Sequence, residues 1–322
     1  MSLTVLVTGI AGFVGSHFAE YALSRGVGVV GSRLPGSGDD NLEHIRDRLQ
    51  LVDCDLLDAP AVTRLVRGAS ADWVIHLAAQ SFVGASWGAP AVTLSTNILS
   101  QVNVLEAVRE AAKPSRVLVI GSSDEYGQVD DGDLPIAEDC ALRPLSPYAV
   151  SKVTQDLMGY QYWRSYGLPV VRARPFNHEG PRRGDAFVTS SLARQIAEIE
   201  VGIRQPVIQV GNLKARRDFT DVRDIVRGYW LLLERGQPGE VYNLCSEKAW
   251  SIEAVLAVLL EHARVKNIEI REDPARMRPA DVPVLLGNAS KIRKAVGWRP
   301  EIPFERTLRD VLDDWRRRVA RA

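Results

Sequence analysis

The sequence predicts an α/β protein with a doubly wound parallel sheet, followed by a smaller α/β region. Short apolar runs alternate with helix-sized segments over the first 175 residues, and a glycine-rich turn lies between the first run and the first helical pattern. Runs of this length, separated by helices, are typical of buried parallel strands. After about residue 175 proline and arginine become more frequent, and we expect the second region to begin there.

The predicted elements follow from local patterns. Phe18 and Tyr21 follow Val14 at i+4 and i+7, which places one apolar helical stripe against the sheet. In the second region Ser251 is predicted to cap a helix whose apolar residues lie on one face; they are Ile252, Val255, Leu256 and Leu259. The predicted strands are LTVLV at 3–7, VGVV at 27–30, DWVIHLA at 72–78, RVLVI at 116–120 and PVVRARP at 169–175.

Composition excludes several classes of partner. Forty basic residues balance forty acidic ones among 322 residues, so no overall field attracts nucleic acid or an anionic membrane. The stretch from Trp73 to Leu105 lacks charges but is too polar to span a membrane, and no secretory signal pattern opens the chain. Cys54, Cys140 and Cys245 lie far apart, which argues against a metal site and a disulfide framework. We expect a cytoplasmic protein.

The segment TGIAGFVG at residues 8–15 predicts a dinucleotide site. Gly9, Gly12 and Gly15, with Phe13 and Val14 between them, lie in the strand-to-helix turn that brings a pyrophosphate to a helix N-terminus. The sheet is therefore expected to be of the Rossmann type. The alternative is a turn that needs glycine for packing alone.

The end of the second predicted strand indicates which dinucleotide binds. NAD enzymes usually carry an acidic residue there, whereas this chain has Gly31, Ser32 and Arg33. A cation suits a 2′-phosphate, so the sequence predicts NADPH, with NADH still possible. The alternative for Arg33 is a solvated loop charge.

The segment LSPYAVSK at residues 145–152 predicts an acid–base pair. Ser146 is expected to cap a helix that starts at Pro147, which places Tyr148 and Lys152 on one face. An ammonium about 5 Å away contributes on the order of 3 kcal/mol at an effective dielectric near 20, roughly two pKa units. We therefore expect the phenol pKa to fall toward the neutral range.

Together these motifs resemble the extended short-chain dehydrogenase/reductases that act on nucleotide sugars. The resemblance covers essentially the whole chain, is strongest to the branch handling GDP-linked 6-deoxyhexoses, and within that branch to its reductases. It rests on TGIAGFVG, DCDL at 53–56, HLAAQ at 76–80, GSS at 121–123, YAVSK at 148–152, FNHEGPRRG at 176–184, GNLKARRDFTDVRD at 211–224 and MRPADVPVLLGN at 277–288.

The resemblance implies roles for individual residues. Ser122, Tyr148 and Lys152 would be the catalytic set, while Asp55 and Leu56 would border the adenine. The resemblance also implies cofactor contacts from Leu77, Ala78 and Ala79, and sugar-nucleotide contacts from Asn177, Arg217, Arg278 and Asp281, with the arginines on the diphosphate. His76 and His178 are interpreted as packing residues, and Arg182 and Arg183 as either loop charges or anion ligands.

The segment GSSDEYGQV at 121–129 bears on the reaction. If it stays extended, Asp124 shares the site-facing side with Ser122 and Glu125 points away. The related GDP-mannose 4,6-dehydratases carry a catalytic glutamate two places after the hydroxyl, and Asp124 is one methylene shorter. This favours a reductase, with Asp124 an additional catalytic candidate and a dehydratase or other nucleotide-sugar epimerase/dehydratase as the alternative.

The resulting hypothesis is NADPH-dependent reduction of the C4 keto group of a GDP-linked 6-deoxy-4-keto hexose. We expect residues 1–175 to form the dinucleotide-binding domain, with 218–245 returning to it. Residues 176–217 and 246–322 would form the substrate-binding domain. The helices at about 91–112 and 148–166, which relatives use to dimerise, predict a homodimer. An alternative outside enzymes is a non-catalytic NADP-binding regulator.

Overall fold

The computed structural model describes residues 3–277 and 282–320. Seven parallel strands form the large sheet in the spatial order β10-β6-β5-β4-β1-β2-β3, which confirms the predicted fold class. The strands are β1 Thr4–Thr8, β2 Gly28–Arg33, β3 Gln50–Asp53, β4 Trp73–His76, β5 Arg116–Ile120, β6 Val170–Pro175 and β10 Val241–Leu244.

All five predicted strands are present, and the two strands at the sheet edges were not predicted. β3 has no continuous apolar run, because its four residues are half-buried or exposed at the edge. β10 is fully buried but only four residues long. Short edge strands carry a weak sequence signal, which explains both omissions.

Helices cover both faces of this sheet. The first face carries α1 Phe13–Ser24 and α7 Val222–Arg235, whereas α2 Ala59–Ala69, α4 Pro90–Arg109 and α5 Pro147–Tyr166 cover the second. The predicted stripe of α1 is confirmed, since Phe18 is fully buried and Val14 and Tyr21 pack against the same cluster. The short helix α3 spans Val83–Gly88.

Most of the remaining elements form a smaller layer beside the carboxyl ends of the large sheet. Its third apolar cluster joins α6, α8 and α10, with the rings of Phe219 and Phe304 stacked 4.9 Å apart. Ser251 caps α8 as predicted, accepting from Ala254 N. The elements of this layer are β7 Asn177–Glu179, α6 Val188–Glu200, β8 Val207–Val210, β9 Arg216–Asp221, β11 Ala249–Ser251, α8 Ile252–Glu261, β12 Glu269–Glu272, β13 Val284–Leu285 and α10 Phe304–Val319. Helix α9 Ser290–Val296 instead packs against α7 and β10 of the large sheet.

Within the described parts of the chain, no helix combines the length and apolar character needed to cross a lipid bilayer.

Candidate active site

A cleft of about 1470 Å³ lies between the carboxyl ends of the large sheet and the smaller layer. Its volume exceeds the ~300–1,000 Å³ of ordinary ligand pockets, so it can take two large ligands side by side. It brings together all the predicted site residues that are described: Gly9, Gly12, Phe13, Val14, Gly15, Arg33, Asp55, Leu56, Leu77, Ala78, Ala79, Ser122, Asp124, Tyr148, Lys152, Asn177 and Arg217. The predicted contacts Arg278 and Asp281 lie outside the described residues.

The glycine turn forms one end of the cleft. Gly9 has φ +67°, and a Cβ there would lie 2.9 Å from the Cα of Ala78. Helix α1 then begins at Phe13, with Gly12 as its N-cap and no capping side chain. The first amide groups of α1 therefore face the cleft without a side chain over them, which fits a pyrophosphate.

Arg33 also lines the end of the cleft that the glycine turn forms. Its Nε donates to Asp53 Oδ1 and its Nη1 to Asp39 Oδ2, both at 2.6 Å. Two carboxylates thus hold the guanidinium at the cleft wall, beside the Asp55 and Leu56 turn that follows β3. The predicted contact with a 2′-phosphate stays a prediction.

The turn after β5 differs from the expected extended strand. Ser123–Glu125 is a 3-10 turn, in which Ser122 Oγ accepts from Asp124 N at 3.1 Å. Glu125 turns inward, is fully buried and forms an ion pair with Arg174 at 3.0 Å. The expectation of an extended segment here is therefore wrong. Asp124 lines the cleft and Glu125 does not, because Glu125 turns inward, and the catalytic role of Asp124 stays a prediction.

Helix α5 carries the acid–base pair as predicted. Ser146 Oγ accepts from Ala149 N at 3.1 Å, and Pro147 is the first helical residue. The Lys152 ammonium lies 5.9 Å from the centre of the Tyr148 ring and donates to Ile120 O at 2.9 Å. Ser122 lines the cleft beside Tyr148 and acts to lower the phenol pKa. The structure therefore joins the three predicted catalytic groups at one point of the cleft.

The expected fall in the Tyr148 pKa is wrong. Burial and the nearby carboxylates of Asp124 and Glu125 raise the phenol pKa, which the Ser122 hydrogen bond only partly offsets. The local spacing of Tyr148 and Lys152 could not reveal this, because the burial comes from the surrounding fold. A raised pKa keeps the phenol protonated at neutral pH, which is the form that donates a proton.

Lys152 is itself affected by burial. Desolvation lowers the pKa of its ammonium to about 8, against the opposing effect of Glu125. The group is thus still mainly charged at pH 7 and loses its charge in the mildly basic range.

The sugar-nucleotide side of the cleft is formed by the smaller layer. Arg217 is 8% exposed and its Nη1 donates to the carbonyl oxygens of Arg216 and Val282 at 2.9 and 2.7 Å. Asn177 Oδ1 is buried and has no hydrogen-bond partner among the described residues. An orphaned acceptor in the wall of a cleft fits a hydroxyl or amide donor of a ligand.

Arg182 and Arg183 have different surroundings. Arg182 Nη2 donates to Glu20 Oε1 at 2.6 Å, in keeping with a loop charge. The Arg183 guanidinium lies over the Phe13 and Phe187 rings, 4.8 and 3.4 Å from their centres, and lines the cleft. Only Arg183 is therefore placed to meet an anionic ligand.

The two histidines are not placed as acid–base groups. Burial lowers the His76 pKa to about 3, and its Nδ1 pairs with the Thr8 hydroxyl at 2.9 Å. Burial also lowers the His178 pKa to about 4, where its Nδ1 donates to Phe176 O. Both rings are thus neutral at pH 7, in line with the predicted packing role, although His178 also lines the cleft.

Sequence reasoning did not find Tyr229. This residue lies in the middle of α7, is fully buried and lines the cleft, and its hydroxyl lacks a partner among the described residues. In sequence it occupies an ordinary core position of an amphipathic helix, so no signal marks it. No cluster of three or more potential metal ligands occurs among the described residues.

Comparison with known proteins gives a consistent family. The model of the family described as GDP-mannose 4,6 dehydratase matches residues 6–311. GDP-6-deoxy-D-mannose reductase of Pseudomonas aeruginosa is 37% identical over 321 residues, covering 99% of each chain. GDP-mannose 4,6 dehydratase 2 of Arabidopsis thaliana is 32% identical and covers 96% of this chain and 86% of its own.

Solved structures agree with the fold. RMD from Pseudomonas aeruginosa complexed with NADPH superposes with a TM-score of 0.85 at 35% identity, covering 98% of this chain and all of its own. Thermus thermophilus UDP-glucose 4-epimerase in complex with NAD superposes with a TM-score of 0.87 at 30% identity, covering 98% and 99%. The chain thus shares its fold with two structures that were solved in complex with nicotinamide dinucleotides.

Proposed function

The chain belongs to the GDP-mannose 4,6 dehydratase family, and from this we propose that it is a nucleotide-sugar oxidoreductase that reduces GDP-4-keto-6-deoxy-D-mannose. The reaction uses NADPH, converts the C4 keto group to a hydroxyl and gives GDP-D-rhamnose. The similarity to a GDP-6-deoxy-D-mannose reductase over 99% of both chains supports the substrate, and the NADPH complex of a structural relative supports the cofactor.

One observation carries the proposal. Ser122, Tyr148 and Lys152 converge in a cleft whose far end is a bare helix N-terminus, and the Tyr148 phenol is held protonated. Reduction of a ketone needs a proton donor beside the carbonyl oxygen, and this arrangement supplies one.

The residues that would hold NADPH are those of the glycine turn, Arg33, and the loops after β3 and β4. When bound, NADPH supplies hydride to the carbonyl carbon. Tyr148 gives its proton to the oxygen on which negative charge develops, and Ser122 stabilises that charge by a hydrogen bond. Lys152 adds a positive charge near the phenol, so that the phenolate left after proton transfer is stabilised.

The diphosphate of the sugar nucleotide has cations available on the opposite wall. Arg217 and Arg183 line the cleft from β9 and from the loop after β7, and Asn177 offers its orphaned oxygen to a sugar hydroxyl. A guanidinium matches a phosphate in shape and charge, so these residues are proposed to orient the substrate.

A GDP-mannose 4,6-dehydratase is the second candidate, because several relatives of about 30% identity carry that name and Asp124 lines the cleft beside Tyr148. The shorter Asp124 side chain weighs against it, since a group displaced by about 1 Å can lose ~10²-fold in rate.

Two incubations separate these candidates. The purified protein is mixed with GDP-4-keto-6-deoxy-D-mannose and NADPH, and separately with GDP-mannose alone, and the products are identified by NMR. The proposal expects NADPH oxidation and a 6-deoxyhexose in the first mixture and unchanged GDP-mannose in the second. A 4-keto product from GDP-mannose would establish the dehydratase, and no reaction in either mixture would favour a non-catalytic NADP-binding regulator.

We also propose a homodimer formed through α4 and α5, which pack side by side. Their outer surfaces carry exposed apolar side chains, namely Val92, Leu99, Val150, Leu157 and Tyr160. Light scattering should give twice the chain mass for the wild type and a lower mass for Leu157→Asp.

A cytoplasmic location is proposed because the three cysteines, two of them buried, are all unpaired.

A further inference from the structure

The proposed catalytic groups come from two separate elements of the fold. Ser122 lies in the turn that follows β5, whereas Tyr148 and Lys152 lie on α5. The distance between Ser122 and the Tyr148 phenol therefore depends on the relative position of these two elements.

Glu125 is hydrogen-bonded to the turn that carries Ser122. Its Oε1 accepts the backbone N–H of Ser122 at 2.8 Å, and the whole side chain is buried. A Cβ on Gly121 would lie 2.1 Å from this oxygen, so only glycine leaves room for the contact. The Glu125 carboxylate therefore stabilises the backbone of the turn that carries Ser122.

Arg174 on β6 joins this carboxylate to α5. Its Nε lies 3.0 Å from Glu125 Oε2, and its Nη2 donates to Asp156 Oδ2 at 2.8 Å. Asp156 follows Lys152 by four residues and Tyr148 by eight, so it lies on the same face of α5. Arg174 is 4% exposed and both carboxylates are fully buried.

We propose that Arg174 is a positioning residue that locks the Ser122 turn to α5 and so sets the distance between Ser122 and Tyr148. The expected effect of Arg174 on the reaction rate rests on the proposed reduction, whereas its expected effect on the structure of the turn does not. A planar guanidinium holds both carboxylates at once, whereas the single ammonium of lysine has no such fork. Arg174→Lys thus loosens the link while keeping the positive charge.

Arg172 provides a matched control. It lies two residues earlier on β6, is 8% exposed, and its Nη1 donates to the same Asp156 oxygen at 2.8 Å. Its Nη2 donates instead to Gly239 O, away from the Ser122 turn. The two arginines therefore share burial and one partner. They differ in that Arg174 also reaches Glu125 and donates to the Tyr126 hydroxyl and Glu138 O.

The experiment compares Arg174→Lys with Arg172→Lys. We expect kcat of Arg174→Lys to fall about 10- to 100-fold, since a misplacement of about 1 Å can cost ~10²-fold. The KM of the keto-sugar and the Kd of NADPH should stay within threefold. Arg172→Lys should keep kcat within twofold. Equal losses of kcat in both variants, or an unchanged kcat in Arg174→Lys, would overturn the proposal.

A second measurement does not depend on turnover. Amide hydrogen exchange of residues 121–126 should be at least tenfold faster in Arg174→Lys than in the wild type and unchanged in Arg172→Lys. Equal protection of this segment in all three proteins would refute the link. If the wild type fails to oxidise NADPH, the proposed function fails while the exchange comparison still decides this inference.

If Arg174→Lys does not fold, the Glu125→Gln variant tests the same link between the Ser122 turn and α5. The amide oxygen can still accept from Ser122, but the charge facing Arg174 is lost. Faster exchange of residues 121–126 and a fall in kcat of about tenfold would support the proposal. Wild-type exchange and kcat would contradict it.

Discussion

Lys152 places its ammonium 5.9 Å from the centre of the Tyr148 ring, but its hydrogen bond goes to the carbonyl oxygen of Ile120 at 2.9 Å. The lysine thus contributes charge rather than a direct bond to the phenol. Ser122 acts to lower the phenol pKa, against the larger effect of burial. This division of roles suits a protonated phenol that gives up its proton only when negative charge forms beside it.

Replacing Tyr148 by phenylalanine tests the proton donor. The variant keeps the ring and its packing, so NADPH should bind with a Kd within threefold of the wild type. The loss of general acid catalysis should lower kcat by about 10²- to 10⁴-fold. Stopped-flow measurement of NADPH oxidation checks the rate, and full activity would remove Tyr148 from the mechanism.

The pH dependence tests Lys152. Because its pKa is lowered to about 8, the ammonium loses its proton as the pH rises through that value. We expect kcat/KM to fall above about pH 8. In Lys152→Arg, whose guanidinium stays charged, this basic limb should move above about pH 9 at whatever absolute rate remains. The same basic limb in both proteins would contradict the assignment.

Arg33→Ala tests the choice of dinucleotide. Loss of a charge-assisted hydrogen bond costs about 1.5–3 kcal/mol, so the Kd of NADPH should rise roughly 10- to 100-fold. The Kd of NADH should change less than threefold, since NADH lacks the 2′-phosphate. Arg46→Ala is the control, because Arg46 also contacts Asp39 but is more exposed. Equal losses for both dinucleotides in fluorescence titrations would leave Arg33 as a structural loop charge.

Because His76 is buried, we predict that the folded protein loses stability in acid. Its pKa is lowered to about 3 in the folded protein, chiefly by burial, whereas in the unfolded chain it is near 6.5. Between these values only the unfolded chain binds this proton, so His76 alone lowers the free energy of unfolding by about 1.4 kcal/mol for each pH unit below ~6.5. From pH 6.5 to 4.5, His76→Asn should lose roughly 2–3 kcal/mol less than the wild type in urea unfolding. Equal losses would contradict the shift.

Much of the fold and part of the site follow from local sequence. The glycine turn and the Ser146 cap are set by residues within a few positions of each other, so their placement could be predicted. The inward-turned Glu125 pairs with Arg174, 49 positions away, and the raised Tyr148 pKa depends on burial by the whole fold. Neither the ion pair nor the pKa shift produces a local pattern in the sequence. Tyr229 escaped notice for the same reason.

The most direct test of the account is isotope transfer. The protein is incubated with GDP-4-keto-6-deoxy-D-mannose and NADPH deuterated at both C4 positions of the nicotinamide, and the product is examined by NMR. We expect a 6-deoxyhexose with one deuterium at C4 of the sugar for each NADPH consumed, and almost none with Tyr148→Phe in the same time. Product without deuterium at C4, or equal labelling by the Tyr148→Phe variant, would contradict it.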